Sequence, residues 1–307
     1  MTELVMLSVA LALDLAFGEP PAALHPVVWM GKLATWLERL APRGNVPRLA
    51  YGALMVILGM AAFVLPVQLL IVYLRDTSPV AYFLFGSFLL KTTFSVKGLF
   101  HAAEEVRLPL VEGRLEKARS RLRGLVSRDT TSLSESQISA SVVESVAENS
   151  SDSFVAPLFF YALFGLPGAL AYRLLNTLDA MIGYHGPYEH LGKVAARLDD
   201  CMNFIPARLT GLLLVAAGVL LGKGGGSAWR TMCRFHGVTE SPNAGWPMSA
   251  MAGALGVQLE KVGHYRLGDG AESPAPLTIA QAENLARVAM FLAAVGHVAL
   301  VLLRHAN

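Results

Sequence analysis

An uncharged run over residues 49–74 is the feature that most limits the folds open to this chain. About 20 predominantly apolar residues suffice to cross the hydrocarbon core of a bilayer as a helix, and this run is longer. Four further apolar segments cover residues 80–100, 154–178, 204–222 and 285–303. Charged residues make up only 16% of the chain, against about 25% in ordinary soluble domains. We therefore predict an all-α, polytopic integral membrane protein.

Two apolar segments do not have the form of a simple span. Residues 4–17 are too few to cross the core, so we expect a partial or buried helix that ends at Gly18-Glu-Pro-Pro, where proline breaks the helix. Residues 154–178 contain Pro157 and Pro167-Gly168, which fits either one kinked span or a two-helix hairpin. The prediction is about five full transmembrane helices, one or two partial or re-entrant segments, and amphipathic cytoplasmic helices.

The basic residues indicate an orientation. Residues 101–153 form a polar loop or helix with seven Arg and Lys, and such loops concentrate on the cytoplasmic side. The amphipathic segment 29–40, with Trp29 and Trp36 on one face, falls on the same side if residues 49–100 form a hairpin. We predict a multi-pass protein of the bacterial cytoplasmic (inner) membrane with a site that faces the cytoplasm.

Other features bound the organisation and the partners of the chain. Residues 223–284 are rich in Gly and Pro and are expected to form a polar loop. Residues 1–307 are expected to form a single integral membrane domain embedded in the lipid bilayer. A net charge of +2 is too small to indicate a nucleic-acid-binding protein.

A stack of acidic residues is the first feature that could carry chemistry. Ser132-Leu-Ser-Glu135 has the capping-box pattern, which predicts a helix start near Leu133. On that helix Glu144, Glu148 and Asp152 repeat every four residues, and like charges at this spacing repel one another. The stack is either a solvated helix face or a site for a divalent cation, which takes oxygen ligands. The neighbouring Asn149 could add an amide oxygen.

A second group of polar residues follows the broken apolar segment. Each set shares one face of a helix, because its members are three or four residues apart. The sets are Arg173, Asn176 and Asp179; Lys193, Arg197 and Asp200; and Asp199 with Asn203, after which Arg208 enters the next span. Ordinary ion pairs would explain them. Carboxylates with basic residues one turn away also suit a metal-bound polyphosphate.

The segment Ser241-Pro-Asn-Ala-Gly-Trp-Pro247 predicts an ordered, non-helical loop. In it Asn243 could form hydrogen bonds with a ligand and Trp246 could stack on one, or the segment could be a turn and nothing more. Two classes of function remain open from the residues alone. A metal-dependent enzyme for a phosphorylated substrate fits the acids and bases, and a transporter or sensor fits the buried charges and broken helices. The polar motifs lie at span ends and in loops, which favours the enzyme.

Seven motifs follow one another along the chain: Asp14…Gly18-Glu-Pro-Pro…His25-Pro-Val, Ser127-Arg-Asp-Thr, Val143-Glu-Ser-Val-Ala-Glu-Asn-Ser-Ser-Asp, Ala156-Pro-Leu-Phe, Asn176-Thr-Leu-Asp…Met181-Ile-Gly-Tyr, Ala196-Arg-Leu-Asp-Asp…Asn203-Phe-Ile-Pro-Ala-Arg-Leu-Thr, and Ser241-Pro-Asn-Ala-Gly-Trp-Pro…Met251-Ala-Gly-Ala-Leu-Gly-Val. In this order they resemble the adenosylcobinamide-phosphate synthase family of cobalamin biosynthesis. The chain departs from the family at Glu19, where Asp is usual, and at Ser153, where Gly is usual.

The resemblance implies an ATP-dependent amide-forming ligase. It would join a propionate carboxylate of adenosylcobyric acid to the amine of aminopropanol phosphate or ethanolamine phosphate, through an acyl phosphate. ATP and Mg²⁺ are the implied cofactors, and other membrane-associated enzymes of cobalamin assembly are possible partners.

Residue roles follow as hypotheses from the motifs and the resemblance. Catalytic roles are predicted for His25, Asp129, Glu148 and Asp199. Binding of substrate or phosphate is predicted for Arg128, Asn149, Arg173, Asn176, Lys193, Arg197, Asn203, Arg208, Asn243 and Trp246. Metal ligation is predicted for Glu148, Asp152, Asp179, Asp199 and Asp200.

Overall fold

The computed structural model describes the backbone of residues 2–306 and the side chains of residues 2–303. Its α-helices are α1 (Thr2–Phe17), α2 (Pro26–Arg39), α3 (Asn45–Gly59), α4 (Leu65–Thr77), α5 (Pro79–Lys91), α6 (Val96–Val111), α7 (Leu115–Leu122), α8 (Glu135–Ser150), α9 (Ala156–Ile182), α10 (Lys193–Leu220), α11 (Gly225–Phe235), α12 (Gly245–Leu255) and α13 (Pro276–Ala306). Two short strands, β1 (Leu259–Lys261) and β2 (Tyr265–Leu267), pair antiparallel. The all-α prediction is confirmed.

Five helical stretches of the described chain are long and apolar enough to cross a membrane. They are Asn45–Thr77, Pro79–Val111, Glu135–Ile182, Lys193–Leu220 and Pro276–Leu303. Each overlaps one of the five apolar segments predicted from the sequence, so the chain is a multi-pass membrane protein. α1, with 16 residues, is shorter than a full span, as expected.

The contacts group the chain into two compact units. The first contains the described residues up to Val96, Ala156–Met202 and the chain from His297 onwards. In it α1 packs on α5 and α2 packs on α9. The second contains Lys97–Val155 and Asn203–Gly296, with α12 against α11 and α8 against β1. The expectation of one integral membrane domain stays a prediction.

The apolar segment 154–178 is a hairpin, which decides between the two forms that its sequence allowed. Gly165 has φ 66° and ψ −159°, so helical geometry breaks there inside α9. The rings of Phe160 and Tyr172 stack with centroids 5.4 Å apart. Twelve residues of a straight helix would separate them by about 18 Å. The chain therefore reverses at Gly165.

Replacing this glycine should destabilise the protein. Only glycine readily adopts positive φ combined with ψ near 180°, and other residues there cost on the order of 1–3 kcal/mol. Gly165→Ala should therefore lower the thermal unfolding midpoint in detergent. Gly226→Ala is the matched control, because Gly226 is in α11 and a Cβ there meets nothing within 4 Å. An equal midpoint in both variants would contradict the strained-turn assignment.

Two local expectations need correction. The capping box of α8 is formed by Ser134 and Gln137, two residues after the predicted one, because Ser134 has the extended backbone that an N-cap requires. Residues 223–284, predicted as a loop, contain α11, α12 and the β1–β2 hairpin. Gly253 lets α12 approach α11 closely, since a Cβ would lie 2.6 Å from Thr231 Cβ. Small residues here serve helix packing rather than loop flexibility.

Candidate functional site

The acidic helix α8 presents its polar face to a pocket in the second unit. Its apolar stripe of Ile138, Val142 and Val146 is fully buried, as the four-residue repeat predicts. This packing holds Glu144 and Glu148 on another face. Glu144 is only 6% exposed, so the solvated-face interpretation of the acidic stack is wrong for this residue.

An arginine from the loop before α8 lies at the pocket. The Arg128 guanidinium is 3.4 Å from a carboxylate oxygen of Glu144 and also donates to the Ser141 hydroxyl. The other Glu144 oxygen is buried, and the Tyr265 hydroxyl lies within hydrogen-bonding reach of the Glu144 carboxylate. The cavity has a volume of about 150 Å³. Pockets for drug-sized ligands have volumes of about 300–1,000 Å³, so this smaller cavity suits a phosphate-sized group rather than a whole nucleotide.

The β1–β2 hairpin supplies the opposite wall of this pocket. Lys261 and Tyr265 stand on its two strands and line the cavity with Glu144, Glu148 and Asn149. Burial raises the pKa of Tyr265, and the charges of Glu144 and Glu148 raise it further. Its hydroxyl therefore stays protonated and can donate a hydrogen bond. Neither hairpin residue was predicted, although Val262-Gly263 between alternating residues was a possible turn signal.

Asn149 is held on its own helix while it lines the pocket. Its amide nitrogen donates to the Ser145 carbonyl at 2.9 Å, and its amide oxygen accepts from Ser153 at 3.3 Å. Asp129, predicted as catalytic, is exposed and accepts from the backbone N–H and hydroxyl of Thr131. These bonds from Thr131 lower the pKa of Asp129. It does not line the pocket, and its local role is that of a turn-forming residue.

A second cluster of the same unit surrounds Arg208 of α10. Its guanidinium lies 3.4 Å from the Asn243 amide oxygen and 4.7 Å from the Trp246 ring centroid. Trp246 also stacks on His236 with centroids 4.0 Å apart. The segment 241–247 was predicted to be non-helical, but α12 begins at Gly245, since proline is tolerated in a first helical turn. The predicted ligand-stacking face of Trp246 thus already contacts protein groups.

The first unit contains a buried network of charges. The Lys91 ammonium is 3.1 Å from an Asp14 oxygen and 2.9 Å from a Glu19 oxygen. Asp14 also accepts from the backbone N–H of Val96 at 3.1 Å. Both Asp14 and Lys91 are almost completely buried. Lys91 lies in the apolar segment 80–100, and its charge is neutralised by two carboxylates far away in the sequence.

His25 joins this network through Glu19. Its Nε2 is 2.8 Å from Glu19, and its Nδ1 accepts from the backbone N–H of Val27. The second bond makes His25 the N-cap of α2. Both ring nitrogens are engaged, which gives the imidazole a structural role. Its predicted catalytic role stays a prediction.

The acidity of Glu19 yields a pH prediction. Burial alone would raise its pKa, but hydrogen bonds from His25, Ser95 and Lys91 and the charge of Lys91 lower it from 4.5 to about 2. Because the pKa of Glu19 is lower in the folded protein than in the unfolded chain, its ionised carboxylate stabilises the folded state. This stabilisation is complete above the pKa of the unfolded chain, and it is lost as the pH falls towards the pKa of the folded protein. The unfolding midpoint of the wild-type protein should therefore drop more steeply between pH 4.5 and 2 than that of Glu19→Gln. Parallel curves for the two proteins would contradict this role.

The other predicted residues of the first unit lie on α9 and α10. Arg173 contacts the Asn176 amide oxygen at 3.4 Å, and the Arg197 guanidinium is 3.9 Å from Asp200. Asp179 and Asp200 are close enough for their charges to interact. Lys193 pairs loosely with Glu189 at 4.0 Å. The predicted face-sharing is confirmed for the pairs Arg173–Asn176 and Arg197–Asp200.

The predicted metal ligands are divided between the units. Glu148 and Asp152 belong to the second unit, and Asp179, Asp199 and Asp200 belong to the first. Asp199 and Asn203 are buried. Within the described residues, no group of three or more His, Cys, Asp or Glu is arranged to hold a metal ion. The metal assignment stays a prediction.

Comparison with known proteins identifies the family. The profile of the family described as "CobD/Cbib protein" matches residues 7–292. The chain belongs to the CobD/Cbib family. This confirms the resemblance drawn from the seven motifs. The match includes all of the predicted site residues, and no solved structure matches this CobD/Cbib chain.

Curated relatives of this CobD/Cbib chain come from bacteria and archaea. "Cobalamin biosynthesis protein CobD" of Dehalococcoides mccartyi is 48% identical over 90% of this chain and 90% of its own length. "Probable cobalamin biosynthesis protein CobD" of Methanothermobacter thermautotrophicus is 43% identical over 96% of this chain and 98% of its own length. "Cobalamin biosynthesis protein CobD" of Geobacter metallireducens is 42% identical over 81% and 79%.

Proposed function

We propose that this protein acts in cobalamin biosynthesis as an ATP-dependent amide ligase. It joins a propionate carboxylate of adenosylcobyric acid to the amine of aminopropanol phosphate, or of ethanolamine phosphate, and yields adenosylcobinamide phosphate. Membership of the CobD/Cbib family and the names of its relatives support the pathway. The site is proposed to lie on the cytoplasmic side of a bacterial inner membrane, where ATP is available.

The observation that carries the proposed chemistry is the pocket of Arg128, Glu144, Glu148, Lys261 and Tyr265. It combines two cations and a neutral hydroxyl donor with two carboxylates. Phosphoryl transfer depends on cations and donors around the transferred group. The volume of about 150 Å³ matches one phosphoryl group, so we assign the pocket to that group and not to the corrinoid or the adenine.

The donor set of this pocket also fits Mg²⁺. All ligands of this ion are oxygen atoms. It keeps several waters and is usually held by one or two carboxylates together with substrate phosphates. Glu144 and Glu148, which both line the pocket, offer that number of carboxylates without a three-acid cluster. When bound, Mg²⁺ would neutralise negative charge on the phosphates. Asp152 would extend this acidic face of the helix.

The proposed reaction has two steps, the formation of an acyl phosphate and its reaction with the amine. A carboxylate oxygen of the corrinoid attacks the γ-phosphorus of ATP, and ADP leaves with its electron pair. The amine then attacks the acyl carbon, loses a proton and expels inorganic phosphate, so that the amide forms. Arg128 and Lys261 hold negative oxygens in the first step. The Tyr265 hydroxyl donates to the same oxygens, since it remains protonated.

The remaining predicted residues are proposed to bind the substrates. Arg208 already orients Asn243 and contacts Trp246, which makes this cluster a candidate for a phosphate or an amide of a substrate. Asn203 precedes it on α10 by a little more than one turn. Arg173, Asn176, Lys193 and Arg197 are proposed to serve the second phosphorylated substrate.

The test is conversion by purified, detergent-solubilised protein. Adenosylcobyric acid, Mg²⁺–ATP and one of the two amine phosphates are incubated, and products are separated by mass. The expected result is an amide adduct whose formation requires ATP and one of the amines. Corrinoid accumulation in proteoliposomes without any adduct would favour a transporter and contradict the ligase.

A further inference from the structure

The outer surface of α2 carries a stripe of basic and aromatic side chains. Met30, Ala34 and Leu37 are buried on its inner face. Lys32, Thr35 and Arg39 follow one another at helical spacing on another face, which stays accessible. Trp29 and Trp36 beside them are 43% and 58% exposed.

This stripe borders a groove of about 430 Å³ within the first unit. The groove is lined by Lys32, Thr35, Trp36 and Arg39 of α2 and by Met181 of α9. In the described part of the chain, neither Lys32 nor Arg39 makes a hydrogen bond or an ion pair. Two cations therefore lie beside an aromatic and apolar groove, and no acidic side chain among the described residues pairs with them.

The one acid of α2 does not compensate this charge. Glu38 accepts a hydrogen bond from the Tyr188 hydroxyl at 2.7 Å and does not line the groove. The stripe thus keeps a net positive charge, and it lies beside exposed tryptophan side chains on the same helix.

Contacts of α2 with α3 set its depth relative to the membrane. The Tyr51 hydroxyl donates to the Leu37 carbonyl at 2.9 Å. Tyr51 stands in the second turn of the candidate span Asn45–Thr77. The C-terminal half of α2 is therefore level with the start of a span, where lipid headgroups lie. Trp and Tyr are enriched at this level, and basic amphipathic helices lie there with their apolar side in the acyl region.

We propose that this groove binds the headgroup of an anionic phospholipid of the surrounding bilayer. Lys32 and Arg39 contact the phosphodiester and the headgroup charge, since basic residues near the surface attract anionic lipids. Trp36 and Met181 contact the glycerol and the first methylenes of the acyl chains. This site is independent of the proposed ligase activity and would anchor α2 at the interface.

Brominated lipids test the proposal through Trp36 fluorescence. The full-length protein is placed in nanodiscs of phosphatidylcholine with a small fraction of either brominated phosphatidylglycerol or brominated phosphatidylcholine. The Trp36 signal is the difference between the wild-type protein and Trp36→Phe. Brominated phosphatidylglycerol should quench this signal at a lower mole fraction. A basic residue near an anionic surface is worth about fivefold in affinity, so Lys32→Gln/Arg39→Gln should reduce the preference by roughly 25-fold or abolish it.

Lys117→Gln/Arg123→Gln is the matched control, because it removes two exposed cations of the α7 region that line neither this groove nor the phosphate-sized pocket. This control should keep the preference for phosphatidylglycerol. Equal quenching by the two brominated lipids in the wild-type protein would overturn the proposal. Relief of quenching by soluble glycerol phosphate would assign the groove to a soluble phosphate and would overturn it as well.

Discussion

Lys91→Met should cost about 3–5 kcal/mol of folding free energy, the usual result of removing one partner of a buried ion pair. Asp14 is fully buried, and the Lys91 ammonium lies between its carboxylate and that of Glu19. Methionine fills a similar volume but leaves the Asp14 charge without its counter-ion. The measurement is the unfolding midpoint in detergent, followed by size-exclusion chromatography, and most of the variant should be lost or aggregated.

A second substitution distinguishes lost charge pairing from lost packing. Lys91→Met/Asp14→Asn removes both charges, and the Asn oxygen can still accept from the Val96 N–H, so this double variant should recover part of the loss. Lys117→Met is the surface control, since Lys117 is exposed on α7, and it should change the midpoint little. A double variant less stable than Lys91→Met would show that the charges do not stabilise each other.

Glu144→Gln should reduce ligase turnover by about 10²–10³, the loss typical of removing one preorganised charged or polar group from a reaction site. Glutamine retains the shape of the side chain, while its amide cannot neutralise Arg128 and is a poor ligand for Mg²⁺. We expect the protein to stay folded, because the Glu144 side chain lines a cavity and is not closely packed on all sides.

The matched control for this substitution is Glu116→Gln, an exposed glutamate on α7 that also pairs with an arginine. It should leave turnover unchanged. Turnover of Glu144→Gln is measured at saturating and at limiting ATP. Wild-type turnover in both conditions would remove this pocket from the reaction, even if the wild-type protein is a ligase.

Local patterns predicted much of the helical structure. Both patterns involve residues that are close together in the sequence. The charge-free run 49–74 therefore predicts a membrane span, and the four-residue repeat of Ile138, Val142 and Val146 predicts the buried face of α8. The reversal in α9 was one of two forms that Pro167-Gly168 allowed. It could not be decided without the backbone of Gly165.

Such local patterns do not predict contacts between residues that are far apart in the sequence. Lys91 meets Asp14 across 77 positions, and hairpin residues Lys261 and Tyr265 meet Glu144 across more than a hundred. No periodicity encodes these distances, and Gly and Pro around the hairpin indicated a loop. Arg128, Glu148 and Asn149, which the motifs singled out, line one pocket, whereas Asp129 accepts hydrogen bonds from Thr131. The roles predicted for these four residues stay predictions.

The fate of the carboxylate oxygen tests the central claim most directly. Adenosylcobyric acid labelled with ¹⁸O in its free propionate is incubated with the wild-type protein, Mg²⁺–ATP and aminopropanol phosphate, with ethanolamine phosphate in parallel. An acyl phosphate predicts one labelled oxygen in the inorganic phosphate for each amide formed, with equal amounts of ADP. Label in AMP, amide formation without label in phosphate, or amide formation without ATP would contradict the proposed reaction.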